Sequence, residues 1–512
     1  MIPRRKAGST VGALLAVSFL TLAGCSSGGS DDPGGSGGPQ GGDASQELVV
    51  APLYFPASLD QTMYPAEPGV QLAVEQVLDT LVTAVDGAYE PRLAETWENP
   101  EANTWVFHLR EDVVFSDGTP FTSSDVKATI ERHIDNESVL APLLSAITEI
   151  DDSDPVTLTL TTDPPLGNLL GTLSLLYVGK GSEINDDAYW LKPIGTGPFK
   201  IDSYTPDDSV VYSRNDSYWG EAPALDTLTF RDIPEASARI TALETGEIDV
   251  TIDVAPDQLE IVSSIDGVTV DTAESYQYWM NWFNNSREPF TDVRVRQALW
   301  HALDYETIIP ALYGDSADVG RAPAAASAFG VPELEPYTYD PELSKQLLAE
   351  AGFPDGFSTT LIYPTDGGPL VDQLAQSMIS GWAEIGVTVE PIEQERAAWV
   401  EQLNALDWDI QLFTNATSTG DADYTLGRLY RSSAGRLGFA SPEVDAWLDQ
   451  AASSVDQDER AELFGMVSEY LWDNAVGTWP AQLKTNVAYR DDVGGLELPA
   501  SQRIVFANVS RG

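Results

Sequence analysis

The sequence predicts an α/β protein with mixed sheets flanked by helices, and three observations lead to that class. Segments in which apolar and polar residues alternate, such as Trp105 to Leu109, are typical of strands. Segments with apolar residues every three or four positions, such as Val295 to Leu303, are typical of helices. From residue 290 onwards the two kinds alternate along the chain, which indicates layers of helices against sheets.

Length and charge limit the class of protein further. The chain has 512 residues, which is too long for one core, so two or three domains are expected. Its composition is 43% hydrophobic with 13 Trp, which is typical of a globular protein. The formal net charge of -53 disfavours nucleic acid and anionic membrane surfaces as partners. It also disfavours an anionic ligand, unless a buried arginine receives that ligand.

The N-terminus has the pattern of an export signal. Basic residues 4–6 precede the apolar residues 7–22, and Leu-Ala-Gly-Cys follows and ends at Cys25. This pattern resembles the lipobox of bacterial lipoproteins, which implies cleavage of a signal peptide, residues 1–24, and a lipid on Cys25. The alternative is an ordinary secretory leader with an unrelated cysteine. Residues 25–45 are rich in Gly and Ser, which predicts a flexible tether. Cys25 is the only cysteine, so a disulfide within the chain is excluded.

The elements of the first half follow from periodicity and from turn residues. In chain order, the predictions are a strand at 47–51, an amphipathic helix at 70–81, a strand with Trp105, Phe107 and Leu109 on one face, a turn at 116–118, and a helix at 126–134 behind a capping box at Thr122 and Asp125.

The elements of the remaining chain follow from the same rules. The predicted strands are 198–204, 209–214, 226–230, 248–252, 268–284, 387–392, 408–413 and 486–489. The predicted helices are 235–244, one capped by Asp292, 341–351, 370–385, 396–406, 442–452 and 458–474. The strand 268–284 is unusual because its second half is rich in aromatic residues. We expect it to cross from one half of the protein to the other.

Several motifs then resemble one known family. In order they are the run Trp97 to Arg132, Gly195 to Phe199, Arg214 to Gly220, Ala242 to Val250, Asn284 to Asp304 and Leu347 to Pro354. Their order and spacing resemble the solute-binding proteins of ATP-binding-cassette (ABC) importers, in the branch for dipeptides, oligopeptides and nickel (solute-binding protein family 5). The resemblance covers essentially the whole chain after the tether.

The resemblance implies a fold and a role. The implied fold is the two-lobed periplasmic-binding-protein-like fold, type II, in its large variant with an extra inserted domain. Lobe I would comprise residues 46–68, 195–273 and 487–512, the inserted domain residues 69–194, and lobe II residues 274–486. The implied role is a receptor outside the cytoplasm that closes on a small solute by hinge motion. Its implied partners are permease and ATPase subunits. We expect a monomer without a cofactor, anchored by lipid to the outer face of the cell membrane.

Three places supply candidate ligand contacts. Aromatic faces bury apolar area and a few polar groups fix orientation, which is the usual make-up of a small-molecule site. Loops after strands are also places where open α/β sheets bind ligands. The candidates are Tyr64 after the first strand, Tyr276, Tyr278, Trp279 and Trp282 on the crossing strand, and Asn415, Ser418, Asp421 and Asp423 in the loop predicted at 415–424. Each is weighed against plain core packing.

The solute class stays open between peptides and other small molecules. In peptide-binding members of the family, an aspartate of this loop pairs with the α-amino group of the peptide. Here the resemblance places Ser418 at that position, and Asn415 where tryptophan is usual. A peptide or peptide-like solute is still favoured, with an oligosaccharide or a chelated metal such as nickel as alternatives. One of Arg428, Arg431 and Arg436 could receive a ligand carboxylate, although surface ion pairs are the stronger expectation.

No residue pattern favours catalysis, so we expect a binding protein and not an enzyme. The three histidines, His108, His133 and His301, show no spacing typical of a metal site or a catalytic triad. Ser124 and Lys127 match the S-x-x-K pattern of acyl enzymes, but they lie inside the predicted capping box. A secreted hydrolase on the same scaffold is the alternative from another class.

Overall fold

The structure, a computed structural model, describes residues 46–64, 67–85, 87–365 and 368–512. The predicted signal peptide, the tether and Cys25 lie outside the described residues. Within the described ranges, the helices are all too short or too polar to cross a membrane.

Strands and helices alternate through most of the described chain. The strands are β1 Glu47–Ala51, β2 Val82–Val85, β3 Ala88–Pro91, β4 Ala94–Glu101, β5 Thr104–Leu109, β6 Ile147–Asp154, β7 Thr157–Thr162, β8 Phe199–Thr205, β9 Ser209–Arg214, β10 Thr227–Arg231, β11 Val250–Ile252, β12 Val268–Phe283, β13 Ala317–Val319, β14 Ser358–Pro364, β15 Thr388–Gln394, β16 Ile410–Ala416, β17 Gly477–Thr478, β18 Ala481–Arg490, β19 Val493–Gly494 and β20 Ser510–Arg511. The helices are α1 Pro68–Val74, α2 Ser123–Asp135, α3 Ala141–Leu144, α4 Leu169–Leu173, α5 Ala236–Thr245, α6 Leu259–Ser263, α7 Val293–His301, α8 Tyr305–Tyr313, α9 Pro341–Glu350, α10 Gly368–Glu384, α11 Arg396–Ala405, α12 Ala422–Tyr430, α13 Pro442–Ser453 and α14 Gln457–Asp473.

One twelve-stranded mixed sheet connects the two halves of the described chain. Its main path is β15-β14-β16-β12-β18-β11-β1-β10-β9-β8. The strands β12 and β18 stand in the middle of this path. β12 pairs with β18 along its first half and with β16 along its second half. β12 is therefore the predicted crossing strand, and it extends over 16 residues.

The apolar side chains of the described residues form four separate buried clusters. The largest contains residues between 276 and 481, and another contains residues between 81 and 178. A third and a smaller fourth combine the first strand, the middle of the chain and the C-terminal segment. The described chain nevertheless forms one compact unit, and the domain boundaries given above stay a prediction.

Most predicted elements occur within a few residues of their predicted bounds. Strands β1 and β9 have the predicted ends, and Asp292 caps α7 by accepting a hydrogen bond from the Arg294 backbone N–H at 2.9 Å. At the capping box, the Asp125 carboxylate accepts from the Thr122 backbone N–H at 2.9 Å.

The helix predicted at 70–81 is wrong in length, because α1 ends at Val74. The apolar positions Val77 and Leu78 are buried as the periodicity suggested. The Val77 carbonyl, however, accepts a hydrogen bond from the Gly197 backbone N–H at 2.8 Å. Gly197 lies so close to Val77 that a Cβ there would clash with its backbone. A contact from a distant segment thus replaces the helix, which local periodicity cannot predict.

Candidate functional site

Two rings of the aromatic strand pack inside the largest apolar cluster. The Tyr278 hydroxyl accepts a hydrogen bond from Asn415 Nδ2 at 3.0 Å. Trp282 Nε1 donates to the Tyr430 hydroxyl at 3.1 Å, and its ring meets the Phe413 ring edge-on with centroids 4.9 Å apart. The Tyr278 hydroxyl also donates to Thr425 Oγ1 of α12 at 3.5 Å. Both rings therefore face α12 and are buried there. Contact of either ring with a solute stays a prediction.

The side chains of β12 point alternately to opposite faces of the sheet, so the four predicted rings do not all lie on the same face. Trp279 points away from Tyr278 and Trp282, since neighbouring side chains of a strand face opposite sides, and it is buried in the same cluster. Tyr276 differs from the other three. Although it is only 3% exposed, it lines two cavities of about 590 and 120 Å³. These cavities are the candidate site.

The backbone around Tyr276 is irregular. The pairing of β12 with β18 shifts register between Glu274 and Tyr278. Gln482 spans the irregular stretch, where its Nε2 donates to the carbonyls of Ser275 at 2.8 Å and Gln277 at 2.7 Å. A bulge of this kind redirects a side chain, and here it accompanies the placement of Tyr276 on the cavity wall.

The walls of both cavities come from distant parts of the chain. Residues of the larger cavity include Arg92, Tyr218, Tyr276, Ser327, Ala500 and Arg503. Residues of the smaller cavity include Gln71, Tyr276, Ser418, Gln502 and Arg503. The two cavities thus share Tyr276 and Arg503, and segments from the first half, from the second half and from the C-terminus enclose them.

Of the remaining polar candidates, Ser418 lines the candidate site, whereas Asn415 and Tyr64 line neither cavity. Ser418 lines the smaller cavity. Asn415 lies on β16 and not in a loop, and its side chain holds Tyr278 as described. Tyr64 is about half exposed, at 48%. The loop predicted at 415–424 is in fact shorter, because β16 continues to Ala416 and α12 begins at Ala422.

Asp421 has partners within the protein. It is 1% exposed and caps α12 by accepting a hydrogen bond from the Asp423 backbone N–H at 2.9 Å. Arg460, also fully buried, contacts both of its carboxylate oxygens at 2.8 and 2.9 Å. The Tyr89 hydroxyl donates to Asp421 Oδ2 at 3.4 Å. This carboxylate is therefore neutralised and hydrogen-bonded without a ligand.

Asp423 joins the same group. Its Oδ2 accepts a hydrogen bond from Asn168 Nδ2. Burial and the neighbouring Asp421 raise the pKa of Asp423 to about 6. Since Asn168 and Tyr89 belong to the first half of the chain, the two aspartates connect that half to α12. Whether either aspartate also contacts a solute stays a prediction.

Arg503, which lines both cavities, is a site residue that the sequence analysis missed. The buried Glu75 and Tyr177 lie beside it. Arg503 is 6% exposed, and its Nη1 donates to the Ser174 carbonyl at 2.6 Å. Glu75 and Tyr177 are buried and interact electrostatically with its guanidinium. The one available signal was the position of Arg503 directly before the apolar run from Ile504 to Phe506, where a charge is out of place.

The three arginines near residue 430 have other partners. Arg431 pairs with Asp449, and Arg436 Nη1 donates to Asn404 Oδ1 at 3.3 Å. The Arg428 guanidinium is exposed and lies 4.5 Å from the centre of the Tyr424 ring. These contacts fit the surface interactions that were the stronger expectation.

Metal and acyl-transfer chemistry receive no support from the geometry. Among the described residues, His, Cys, Asp and Glu form no group of three or more that could hold a metal ion. Ser124 Oγ shares a hydrogen bond with Thr122 Oγ1 at 2.8 Å, and Lys127 Nζ pairs with Asp152 at 2.9 Å. The serine and lysine of the S-x-x-K pattern thus have structural partners.

Comparison with known proteins gives one family and related sequences. A family model described as "Bacterial extracellular solute-binding proteins, family 5 Middle" matches residues 88–436. Heme-binding protein A from Haemophilus influenzae is 27% identical over 499 residues, which cover 88% of this chain and 89% of that protein. Glutathione-binding protein GsiB from Escherichia coli K12 is 25% identical over 402 residues, which cover 75% of this chain and 78% of that protein.

Solved structures have the same fold. The periplasmic binding protein DppA from Helicobacter pylori, in complex with a peptide, matches with a TM-score of 0.76 and 24% identity over 91% of this chain and 98% of that chain. A nickel ABC transporter structure from Bacillus halodurans matches with a TM-score of 0.77 and 27% identity over 91% of this chain and 100% of that chain. The two-lobed fold predicted from the sequence is thereby confirmed.

Proposed function

The chain belongs to the bacterial extracellular solute-binding proteins of family 5, and on that premise we propose that its solute is a peptide or a peptide-like molecule. Proteins of this family are extracytoplasmic receptors that bind small ligands and work with the permease and ATPase subunits of an ABC importer. The receptor role follows from membership. The identity of the solute and the residues that hold it are the proposal.

The observation that carries the proposal is the pair of cavities around Tyr276. The larger one has about 590 Å³, which lies within the range of roughly 300–1,000 Å³ typical of small-molecule sites. Walls from both halves of the chain allow the protein to close on its solute by hinge motion. We propose Tyr276 and Ser418 as direct contacts, with Tyr278, Trp279 and Trp282 as the packed support of the strand that carries Tyr276.

A peptide-like solute fits the mixed lining of the larger cavity. Arg92 and Arg503 supply positive charge, whereas Glu221, Glu274 and Glu497 supply negative charge. A molecule with both an amino group and a carboxylate can pair with both kinds of residue. The glutathione-binding relatives take a molecule of that chemistry. An oligosaccharide or a chelated metal such as nickel remains the alternative within the same role.

Ligand-induced thermal stabilisation tests the solute class. The full chain is heated alone and with trialanine, glutathione, maltotriose or a nickel–histidine chelate. A ligand at a hundred times its Kd stabilises the folded state by about 2.7 kcal/mol, so we expect either peptide to raise the melting temperature by several degrees. Tyr276→Leu should weaken this shift, whereas Tyr339→Leu, at an exposed ring, should not. Stabilisation by the sugar or the chelate alone would reject a peptide-like solute.

We also propose that a lipid on Cys25 anchors the receptor to the outer face of the cell membrane. The support is the lipobox pattern, in which the only cysteine of the chain has the required position. Cys25→Ala should move the protein from the membrane fraction to the soluble fraction. Equal retention of both forms would reject the anchor.

A binding role without catalysis is the final part of the proposal. The relatives compared above are named as binding proteins. Incubation with either peptide, followed by mass spectrometry, should recover the peptide unaltered. Cleavage that disappears in Ser124→Ala would favour the hydrolase alternative instead.

A further inference from the structure

A third cavity, the aromatic cavity, also lies between segments of the first and second halves of the chain, but its chemistry differs from that of the candidate site. It has about 510 Å³ and shares no lining residue with the two cavities around Tyr276. That volume lies within the range of roughly 300–1,000 Å³ typical of small-molecule sites. Most of its lining side chains are aromatic or aliphatic, namely Tyr89, Trp97, Trp105, Leu170, Phe329 and Val455.

Contacts within the protein hold the walls of the aromatic cavity in place. The Phe329 backbone N–H donates to the Gly420 carbonyl at 2.8 Å, beside one wall. The Gly167 backbone N–H donates to the Ala452 carbonyl at 2.7 Å, close in sequence to the lining residues Leu170 and Val455. Both hydrogen bonds join segments that are far apart in sequence. The walls are therefore positioned without a ligand, which reduces the cost of ordering them on binding.

The aromatic side chains of this cavity can interact with a cation. Tyr89, Trp97 and Phe329 are partly exposed, whereas Trp105 is buried. The Tyr89 hydroxyl is engaged by Asp421, so its ring is the part of the side chain that is left for an occupant. The face of an aromatic ring attracts cations, most strongly in tryptophan, and sets of such rings recognise quaternary ammonium groups.

The charge of the lining favours the same kind of occupant. Glu98 is the only charged residue among the described residues that line the aromatic cavity. Its side chain is 65% exposed, and its Oε1 lies 4.0 Å from Nε2 of His108, which is itself half exposed. One carboxylate beside several rings favours a cation and disfavours an anion. The net charge of -53 acts in the same direction.

We infer that the aromatic cavity binds an organic cation with apolar substituents, such as a quaternary ammonium compound, at a site separate from that of the transported solute. The methyl groups of such a cation cover the apolar walls, and its charge lies against the rings and near Glu98. Hard metal ions do not fit this lining, because they require several oxygen ligands. The inference goes beyond the proposed function and does not depend on it.

Choline and 3,3-dimethylbutan-1-ol test this inference, because they have the same shape and differ in a cationic nitrogen and a neutral carbon. Each is titrated into the full chain by ligand-observed NMR in about 0.5 M sodium chloride, which screens unspecific attraction of cations to the acidic surface. We expect choline to bind at least about tenfold more tightly than the alcohol. Trp97→Leu keeps an apolar side chain but lacks the ring, so it should weaken choline at least about fivefold and leave the alcohol unchanged.

Replacing the carboxylate tests the charge of the lining. Glu98→Gln should weaken choline about two- to fivefold, the size of one exposed charge contact. Glu101→Gln is the matched control, because Glu101 is an exposed acid of the same strand that does not line the cavity. It should leave choline binding unchanged.

Three results would overturn the inference. Equal affinity of choline and the alcohol would mean that the cavity does not select a cation, and absence of choline binding to the parent would mean that it takes none. An unchanged choline affinity in either Trp97→Leu or Glu98→Gln would place the cation elsewhere on the protein. If Trp97→Leu fails to fold by circular dichroism, Phe329→Leu takes its place with the same expected loss.

Discussion

Two buried clusters of charge in this protein differ in how their arginines are paired. The α12 cluster consists of Asp421, Asp423, Arg460, Asn168 and Tyr89. The tail cluster consists of Glu75, Tyr177 and Arg503. In the α12 cluster Arg460 contacts both oxygens of the Asp421 carboxylate. In the same cluster Asp423 Oδ1 and Asn168 Oδ1 have no hydrogen-bond partner among the described residues. In the tail cluster two donors of the arginine, one oxygen of the carboxylate and the tyrosine hydroxyl have no hydrogen-bond partner among the described residues.

The difference shows which arginine is held by a complete set of contacts within the protein. Buried charges are stable when they are paired and hydrogen-bonded, and a complete set of partners leaves no capacity for a ligand. Asp421 is in that state, although its loop resembles the ligand loop of the family. Arg503 is not in that state, because two of its donors have no hydrogen-bond partner among the described residues. A resemblance to the ligand loop of the family therefore does not make the Asp421 carboxylate available to a ligand.

The largest expected effect comes from breaking the ion pair between Arg460 and Asp421. Arg460→Gln leaves the Asp421 carboxylate buried without its counter-charge, and removal of one partner of a buried ion pair typically costs about 3–5 kcal/mol. We therefore expect the free energy of unfolding, measured by urea titration and circular dichroism at pH 7, to fall by about that amount. A loss of less than about 1 kcal/mol would mean that Asp421 finds another partner.

Replacing the arginine of the tail cluster by glutamine allows a direct comparison with Arg460→Gln. Arg503→Gln also removes a buried guanidinium, but the remaining Glu75 can take up a proton more easily because burial raises its pKa. We expect a clearly smaller loss of stability than for Arg460→Gln in the same titration. Equal losses would show that the incomplete pairing of Arg503 stabilises the fold as much as the complete pairing of Arg460.

The sequence predicted the fold better than the site, for a physical reason. Strands such as β9 and capped helices such as α7 depend on neighbouring residues, so periodicity and capping residues predict them. The family motifs supplied the two-lobed arrangement. The shortened helix α1 was missed because a contact between Val77 and Gly197, far apart in sequence, determines where it ends.

Whether a buried charged side chain is paired also depends on contacts between residues that are far apart in sequence. Asp421 and Arg460 are 39 residues apart, and Asp423 and Asn168 are 255 residues apart. No local pattern indicates that these groups meet. The sequence could therefore name Asp421 and Asp423 as polar residues of a family loop. It could not show that Arg460 contacts both oxygens of Asp421 or that Asn168 donates to one oxygen of Asp423.

The next largest effect is on the pH dependence of the free energy of unfolding. It tests whether burial and the neighbouring Asp421 carboxylate raise the pKa of Asp423 in the α12 cluster. The folded pKa of Asp423 is about 6, above the value of about 4 for an unfolded aspartate. Between these values the folded state binds more protons, so the free energy of unfolding decreases as pH rises through this window. The amide introduced by Asp423→Asn cannot titrate. The stability of this variant relative to the parent should therefore rise by about 1–3 kcal/mol from pH 4 to pH 7.

The comparison between variant and parent removes other contributions to this pH profile. Asp253 also has a pKa raised to about 6 by burial, but it is present in both proteins and cancels in the difference. The groups that face Asp423 are Asp421, Arg460, Arg431 and Asn168. Chemical denaturation at several pH values from 4 to 7 gives the measurement. A constant difference across this range would show that Asp423 titrates normally and that the cluster is less crowded than its geometry indicates.

The smallest effect tests how much the α12 cluster depends on its contact with the first half of the chain. Tyr89→Phe removes one hydrogen bond of 3.4 Å to Asp421 and leaves both contacts to Arg460 in place. A typical hydrogen bond contributes about 0.5–1.5 kcal/mol, and a long one should lie at the lower end of that range. Tyr339→Phe, at an exposed ring, is the control and should have no measurable effect. A loss for Tyr89→Phe that approaches that of Arg460→Gln would mean that the contact between the halves, and not the ion pair, stabilises the cluster.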